Sequence, residues 1–273
     1  MMEVMRFAVY FFLISSLEKR QNEIQSEAKN SMFEKIDKTW NPVIGCLHNC
    51  TYCWARNLAE TRLTHMEKYK DGFKPDIAEY ELKKTFRKQY VFACDMGDLF
   101  GDWVPKEWVL KVLEAIRNSP SSYFLFLTKN PKRYFEFLEE FPENLVLGAT
   151  IETNREYKVS NAPSVAERYK CMVNLPYKRK LVSIEPIMDF DPEIFLNWLK
   201  RISPFAVHVG YANRNQHLAE PSLNKTLELI AELRNFTKVK ILRLSNNWVV
   251  EKTLQYFRLL NFFESRNLYK YAF

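Results

Sequence analysis

The sequence predicts an α/β fold, a partial (β/α)6 TIM-like barrel with an N-terminal extension. Three observations lead there. From Thr39 onward, short apolar runs alternate with longer stretches of helical spacing, and this alternation is the signature of parallel α/β architecture. The runs are near-continuously apolar and partly β-branched, which suits strands buried on both faces. Six or seven such units span about 220 residues, short of the ~250 of a closed eight-unit barrel. A doubly wound sheet is the alternative. Both place chemistry at the carboxyl ends of the strands.

The strands are expected at Thr39–Ile44, Tyr90–Cys94, Tyr123–Leu127, Leu145–Ile151, Leu181–Ile184, Ala206–Val209 and Val239–Leu242. Helices are expected between them. Trp54–Tyr69 has apolar residues near helical spacing. Pro105–Asn118 starts with proline, and Val109, Val112, Leu113 and Ile116 form one apolar face. Pro131–Glu140 and Pro192–Arg201 also start with proline. Ser222–Asn235 opens on a capping residue and carries Leu223, Leu227, Ile230 and Leu233 along one stripe.

The 273 residues are 47% hydrophobic and 15% aromatic, a composition that builds a sizeable core and excludes a disordered chain. The six glycines form neither GxGxxG nor GxxxxGK[ST], so the usual dinucleotide and nucleoside-triphosphate cradles are excluded. The net charge of +7 permits nucleic acid as a partner without naming it. Its local concentrations are Lys178, Arg179 and Lys180, and the aromatic-rich segment from 243 to 273. The apolar run Phe7–Ile14 is too short to span a membrane, and no A-x-A-like cleavage site follows it. Residues 1–31 therefore read as an extension outside the core, 32–242 as the barrel, and 243–273 as a basic aromatic segment packed on or extending it. A cytoplasmic location is expected, where cysteines serve as ligands or catalysts rather than disulfides.

Three of the five cysteines fall within eight residues, Cys46, Cys50 and Cys53, in a CxxxCxxC pattern between the first strand and the first helix. Three thiolates on one loop can each hold one iron of a 4Fe-4S cubane and leave the fourth iron open. A structural zinc would need a fourth ligand from His48, Cys94 or Cys171, and the paired CxxC spacing typical of such sites is missing. The third reading is three unligated thiols. The spacing favours the cluster. The zinc alternative makes the chain a non-catalytic nucleic-acid-binding protein.

CxxxCxxC with an aromatic residue, Tyr52, before the last cysteine resembles the signature of the radical S-adenosylmethionine superfamily. The match is closest to the phage-type three-cysteine family of uncharacterised proteins. It rests on TWNPVIGC, MGDLFGDWVP, FLTKNPKRY, GATIETN and SIEP, in that order over roughly residues 36 to 215. The layout is also distantly similar to spore photoproduct lyase, a radical enzyme that repairs DNA. The resemblance implies a 4Fe-4S cluster on Cys46, Cys50 and Cys53, with S-adenosyl-L-methionine chelated to the open iron. It implies reductive cleavage of that cofactor to a 5′-deoxyadenosyl radical, and an electron donor of flavodoxin or ferredoxin type. The substrate is unknown, with nucleic acid the leading class and a peptide next.

On this reading the other strand ends form the rim of the cofactor site. Met96-Gly97-Asp98 stands where many superfamily members carry a GGE-like motif for the methionyl amino group, so Gly97 and Asp98 are candidates; otherwise Asp98 caps a turn. Lys129 pairs with the methionyl carboxylate or a phosphate, or is a solvated lysine. Thr150 and Glu152 follow the fourth strand, where ribose hydroxyls suit a carboxylate acceptor. Glu185, in SIEP, needs a ligand or a cation if buried. Tyr52 completes the set. Arg56 balances cluster charge or pairs on its helix, and His208 reads as a packed core histidine.

Overall fold

The structure is a computed structural model that describes residues 35–212 and 218–244. Residues 1–31 and most of the expected carboxyl-terminal segment, 245–273, lie outside the described residues. Among the described residues, seven strands form one parallel sheet: β1 (Lys38–Trp40), β4 (Tyr90–Ala93), β5 (Tyr123–Thr128), β6 (Leu145–Thr150), β7 (Lys180–Ile184), β8 (Ala206–Gly210) and β9 (Lys238–Arg243). They lie in chain order and the sheet curls into a half-barrel, as the fold class predicts. The helices are α1 (Trp54–Thr61), α2 (Lys106–Arg117), α3 (Val165–Asn174), α4 (Pro192–Ile202) and α5 (Leu223–Leu233).

Strand periodicity divides the core. Leu145, Leu147 and Ala149 of β6, Val182 and Ile184 of β7, and Val207 and Val209 of β8 face the helices in the main core. Residues of opposite parity, including Leu125, Val146 and Leu181, form a smaller inner cluster. Higher on the same inner parity the residues turn polar: Thr150, Ser183, His208 and Lys240 are direct cross-strand partners in one row.

Several sequence expectations change at element boundaries. The first strand divides because Pro42 has no N–H to give the sheet; β2 (Val43–Ile44) instead pairs antiparallel with β3 (Asp76–Ile77). The helix expected over Trp54–Tyr69 stops at Thr61, whose hydroxyl bonds the Asn57 carbonyl at 2.5 Å, and a 3-10 turn at Glu67–Tyr69 follows. Pro131–Phe137 is 3-10 rather than α, with no side-chain cap at its start. Helix α3 is an addition. Its signal is the capping box Ser164-x-x-Glu167, present in the sequence but followed by few apolar residues. The basic triplet is also reassigned. Lys180 and Arg179 bond the carbonyls of Met172 and Leu145 at 3.0 Å each, at the amino end of β7 away from the strand carboxyl ends.

Leu147 is fully buried at the centre of the sheet. Leu147→Ala is expected to lower the unfolding free energy by about 2–5 kcal/mol in a denaturant titration.

Candidate cofactor site

The cysteine loop leaves β2 through Gly45, whose φ of 77° is in the left-handed region; a Cβ there would stand 2.2 Å from the Lys74 carbonyl oxygen. Gly97 lies directly across. Its Cβ would meet the Gly45 carbonyl at 2.9 Å, and the two glycines form an isolated parallel bridge. Gly97 is therefore required by backbone packing under the loop, and it also lines the cavity.

Cys46, Cys50 and Cys53 all line one cavity of about 580 Å³ at the carboxyl ends of the strands. Cys53 caps α1, its sulfur accepting from the Arg56 amide at 3.3 Å. The Arg56 guanidinium holds Asn49 of the same loop at 2.7 Å. Burial raises the pKa of the Cys46 and Cys50 thiols, and Lys129 and Arg168 counter it only partly at Cys50. Thiolates there call for cationic ligation. Three soft thiol donors lining one cavity are a donor set that suits a cluster giving each thiolate its own iron.

Asp98 is 4% exposed and accepts four hydrogen bonds: from His48 Nε2 at 2.9 Å, the Phe100 amide at 3.0 Å, Thr128 Oγ1 at 2.7 Å and the Lys129 amide at 3.0 Å. Burial opposes its charge, but the His48 bond leads a set of donors that lowers its pKa. The turn-capping and the strand-tying are thus combined in one carboxylate whose acceptor sites are occupied by protein. His48 also meets Trp103 edge-on at 4.8 Å.

Glu152 is 2% exposed and is bound by Lys129 Nζ at 2.5 Å, by Arg168 at 2.8 Å and by the Tyr52 hydroxyl. Burial would raise its pKa, yet Lys129 and then Arg168 outweigh burial and hold it at about 2. Desolvation of the half-buried Tyr52, and then the neighbouring Glu152 charge, raise its phenol pKa. The candidate ribose carboxylate is thus neutralised within the protein and lies beneath the cavity wall rather than on it. Lys129 and Thr150 do line the cavity, as does Glu185. Arg168, absent from the sequence reading, also donates to the Thr150 carbonyl at 2.6 Å. Its only sequence signal is its place in the first turns of α3. His208, expected in the core, faces the cavity from the inner side of β8.

The family described as "Protein of unknown function (DUF5131)" matches residues 30–248. The chain belongs to it. No curated protein matches this chain. A spore photoproduct lyase mutant aligns at TM-score 0.55 and 12% identity, over 74% of this chain and 76% of that one. Another, with bound AdoMet and dinucleoside spore photoproduct, gives TM-score 0.47 and 12% identity over 76% of this chain, and this chain spans 65% of its length. Streptococcus suis SuiB bound to precursor peptide SuiA gives 0.49 and 11%, over 84% of this chain and 54% of that one. The chain therefore shares the overall fold of spore photoproduct lyase. Among the described residues, no helix is long and apolar enough to cross a membrane.

The Glu152 network carries a pH signature. A folded pKa near 2, against an ordinary 4.5, stabilises the fold fully above pH 4.5, and that contribution is lost as pH falls from 4.5 toward 2. Glu152→Gln should flatten this acid limb of stability, read by thermal melts across pH. Arg168→Met leaves a buried carboxylate short of a partner and should cost about 3–5 kcal/mol in chemical unfolding.

Proposed function

We propose that this protein is a radical S-adenosylmethionine enzyme. In this reading Cys46, Cys50 and Cys53 hold a 4Fe-4S cluster, and S-adenosylmethionine occupies the adjoining cavity. The observation that carries it is the position of the three thiols. They line one cavity at the strand carboxyl ends, three soft donors beside a space of small-molecule size. When bound and reduced, the cluster supplies one electron to the sulfonium of the cofactor.

The chain's own residues do the remaining work. His48 and Asp98 fix the cysteine loop to the end of β5. Lys129 presents a cation at the cavity wall, suited to the cofactor's carboxylate and held in place by Glu152. Thr150 offers a hydroxyl on the same wall for the ribose. Tyr52 lies over the Glu152 network, its ring 5.3 Å from Lys129 Nζ, and closes the loop against it. A cavity of about 580 Å³ is of small-molecule size and takes the cofactor with one reacting group of a substrate, not a folded macromolecule. The substrate class is nucleotide or nucleic acid, presented one residue at a time, and the reductant is a flavodoxin- or ferredoxin-type protein. The net charge of +7 supports an anionic substrate.

Anaerobic reconstitution with iron and sulfide should load about four irons per chain. With dithionite, the loaded protein should release 5′-deoxyadenosine from S-adenosylmethionine. Cys50→Ala should lose both. One tightly bound zinc with no cofactor cleavage would overturn the proposal.

A further inference from the structure

The cavity wall has two unlike halves. On the cysteine side the carboxylates are already spent on the protein: Asp98 at the wall has four donors, and Glu152 beneath it is bound by Lys129, Arg168 and Tyr52. On the side of β7 and β8, the Glu185 carboxylate and the His208 imidazole have no hydrogen-bond partner among the described residues, although His208 is 8% exposed. Buried polar groups in folded proteins are normally bonded. The buried His208 and the half-buried Glu185 both line the cavity and are groups for a ligand to satisfy. His208 stands in the row between Ser183 and Lys240, and Glu185 lies two residues beyond Ser183 along the same strand.

The chemistry of this half narrows the ligand. An ionised Glu185 only accepts, so it calls for an N–H or O–H donor. Burial raises the Glu185 pKa, and the charges of Arg243 and Lys129 act against that rise, while Lys240 acts on His208. Those cations repel an ammonium or guanidinium and attract an anion. Burial, then Lys240, pushes the His208 pKa down to about 4, so the neutral ring offers one donor and one acceptor. The matching ligand is a neutral amine beside an acceptor, carried on a molecule that is anionic elsewhere. The amino edge of cytosine or adenine has that pattern, and carboxylates accept from such amines in nucleic-acid recognition. The phosphate would meet Lys240 and Arg243. Phe92 and Leu127 on the inner wall supply apolar surface for the face of a base.

We propose that Glu185 and His208 form the recognition site for the amino edge of a substrate nucleotide, cytosine or adenine. This deepens the functional reading by naming the substrate chemistry, and it rests on that reading for what happens to the nucleotide once bound. It also moves Glu185 from the cofactor to the substrate.

The test is calorimetric binding to the full purified chain with CMP, AMP, UMP and IMP. CMP, AMP or both should bind at least ~10-fold tighter than the keto counterparts UMP and IMP. Glu185→Gln, whose amide can also donate to a keto oxygen, should erase or invert that preference while circular dichroism shows the fold intact. Should that variant not fold, His208→Ala provides the second arm and should weaken amino-nucleotide binding about 10-fold. Equal binding of all four nucleotides, or an unchanged preference in the variants, overturns the proposal. So does tighter binding of N-acetyl-lysine amide, which would assign the site to a peptide. Binding of AMP alone, displaced by S-adenosylhomocysteine, would return Glu185 to the cofactor's adenine and equally overturn it. Iron content and 5′-deoxyadenosine release are measured on the same preparations, so failure of the cluster reading is seen separately.

Discussion

The site is organised around one buried carboxylate. Asp98 bonds His48 from the cysteine loop, Phe100 from its own turn, and Thr128 and Lys129 from the end of β5. A charge buried this deeply is tolerable only when its acceptor positions are filled. Filling them draws three separate chain segments to one point. The position of the thiols, the height of Lys129 above the cavity and the close approach of Gly97 to Gly45 all depend on that convergence. A loop of this length, anchored only at its ends, would sample many arrangements of its three cysteines.

The second network repeats the logic with ion pairs. Glu152 lies between Lys129 and Arg168, and Tyr52 joins it from the residue before Cys53. Together the two carboxylates hold the cysteine loop from both sides, through His48 and through Tyr52. The result is a half-cavity that is preorganised, with its polar groups already engaged. In the other half, Glu185 and His208 have no hydrogen-bond partner among the described residues. That asymmetry suits a site in which a cofactor binds to fixed protein groups while a variable partner is read by the free ones.

Much of this was legible in the residues. The β-branched runs and their order gave the parallel sheet, because strands buried on both faces have few other sequences available to them. The CxxxCxxC spacing placed three thiols on one loop whatever the rest of the chain does. Legibility fell where a residue's role depends on its partner. Asp98 and Glu152 are legible as strand-end carboxylates, but nothing local says that His48, fifty residues away, or Arg168, on a helix with weak periodicity, takes up their charge. His208 was read as core because strand residues of either parity look alike in a buried sheet, and only the curl of the sheet makes its inner face a cavity wall.

The sequence by itself determined the α/β class, the strand order in time along the chain and the clustering of thiols, since each follows from local pattern and covalent spacing. Tertiary structure alone decided which polar residues are available. Pairing across strands set Thr150, Ser183, His208 and Lys240 in one row. Burial then forced Asp98 and Glu152 into hydrogen bonds with distant groups, while Glu185 and His208 were left facing the cavity. Availability for chemistry is a property of long-range contacts, and hydrogen-bond satisfaction in a low-dielectric interior decides it.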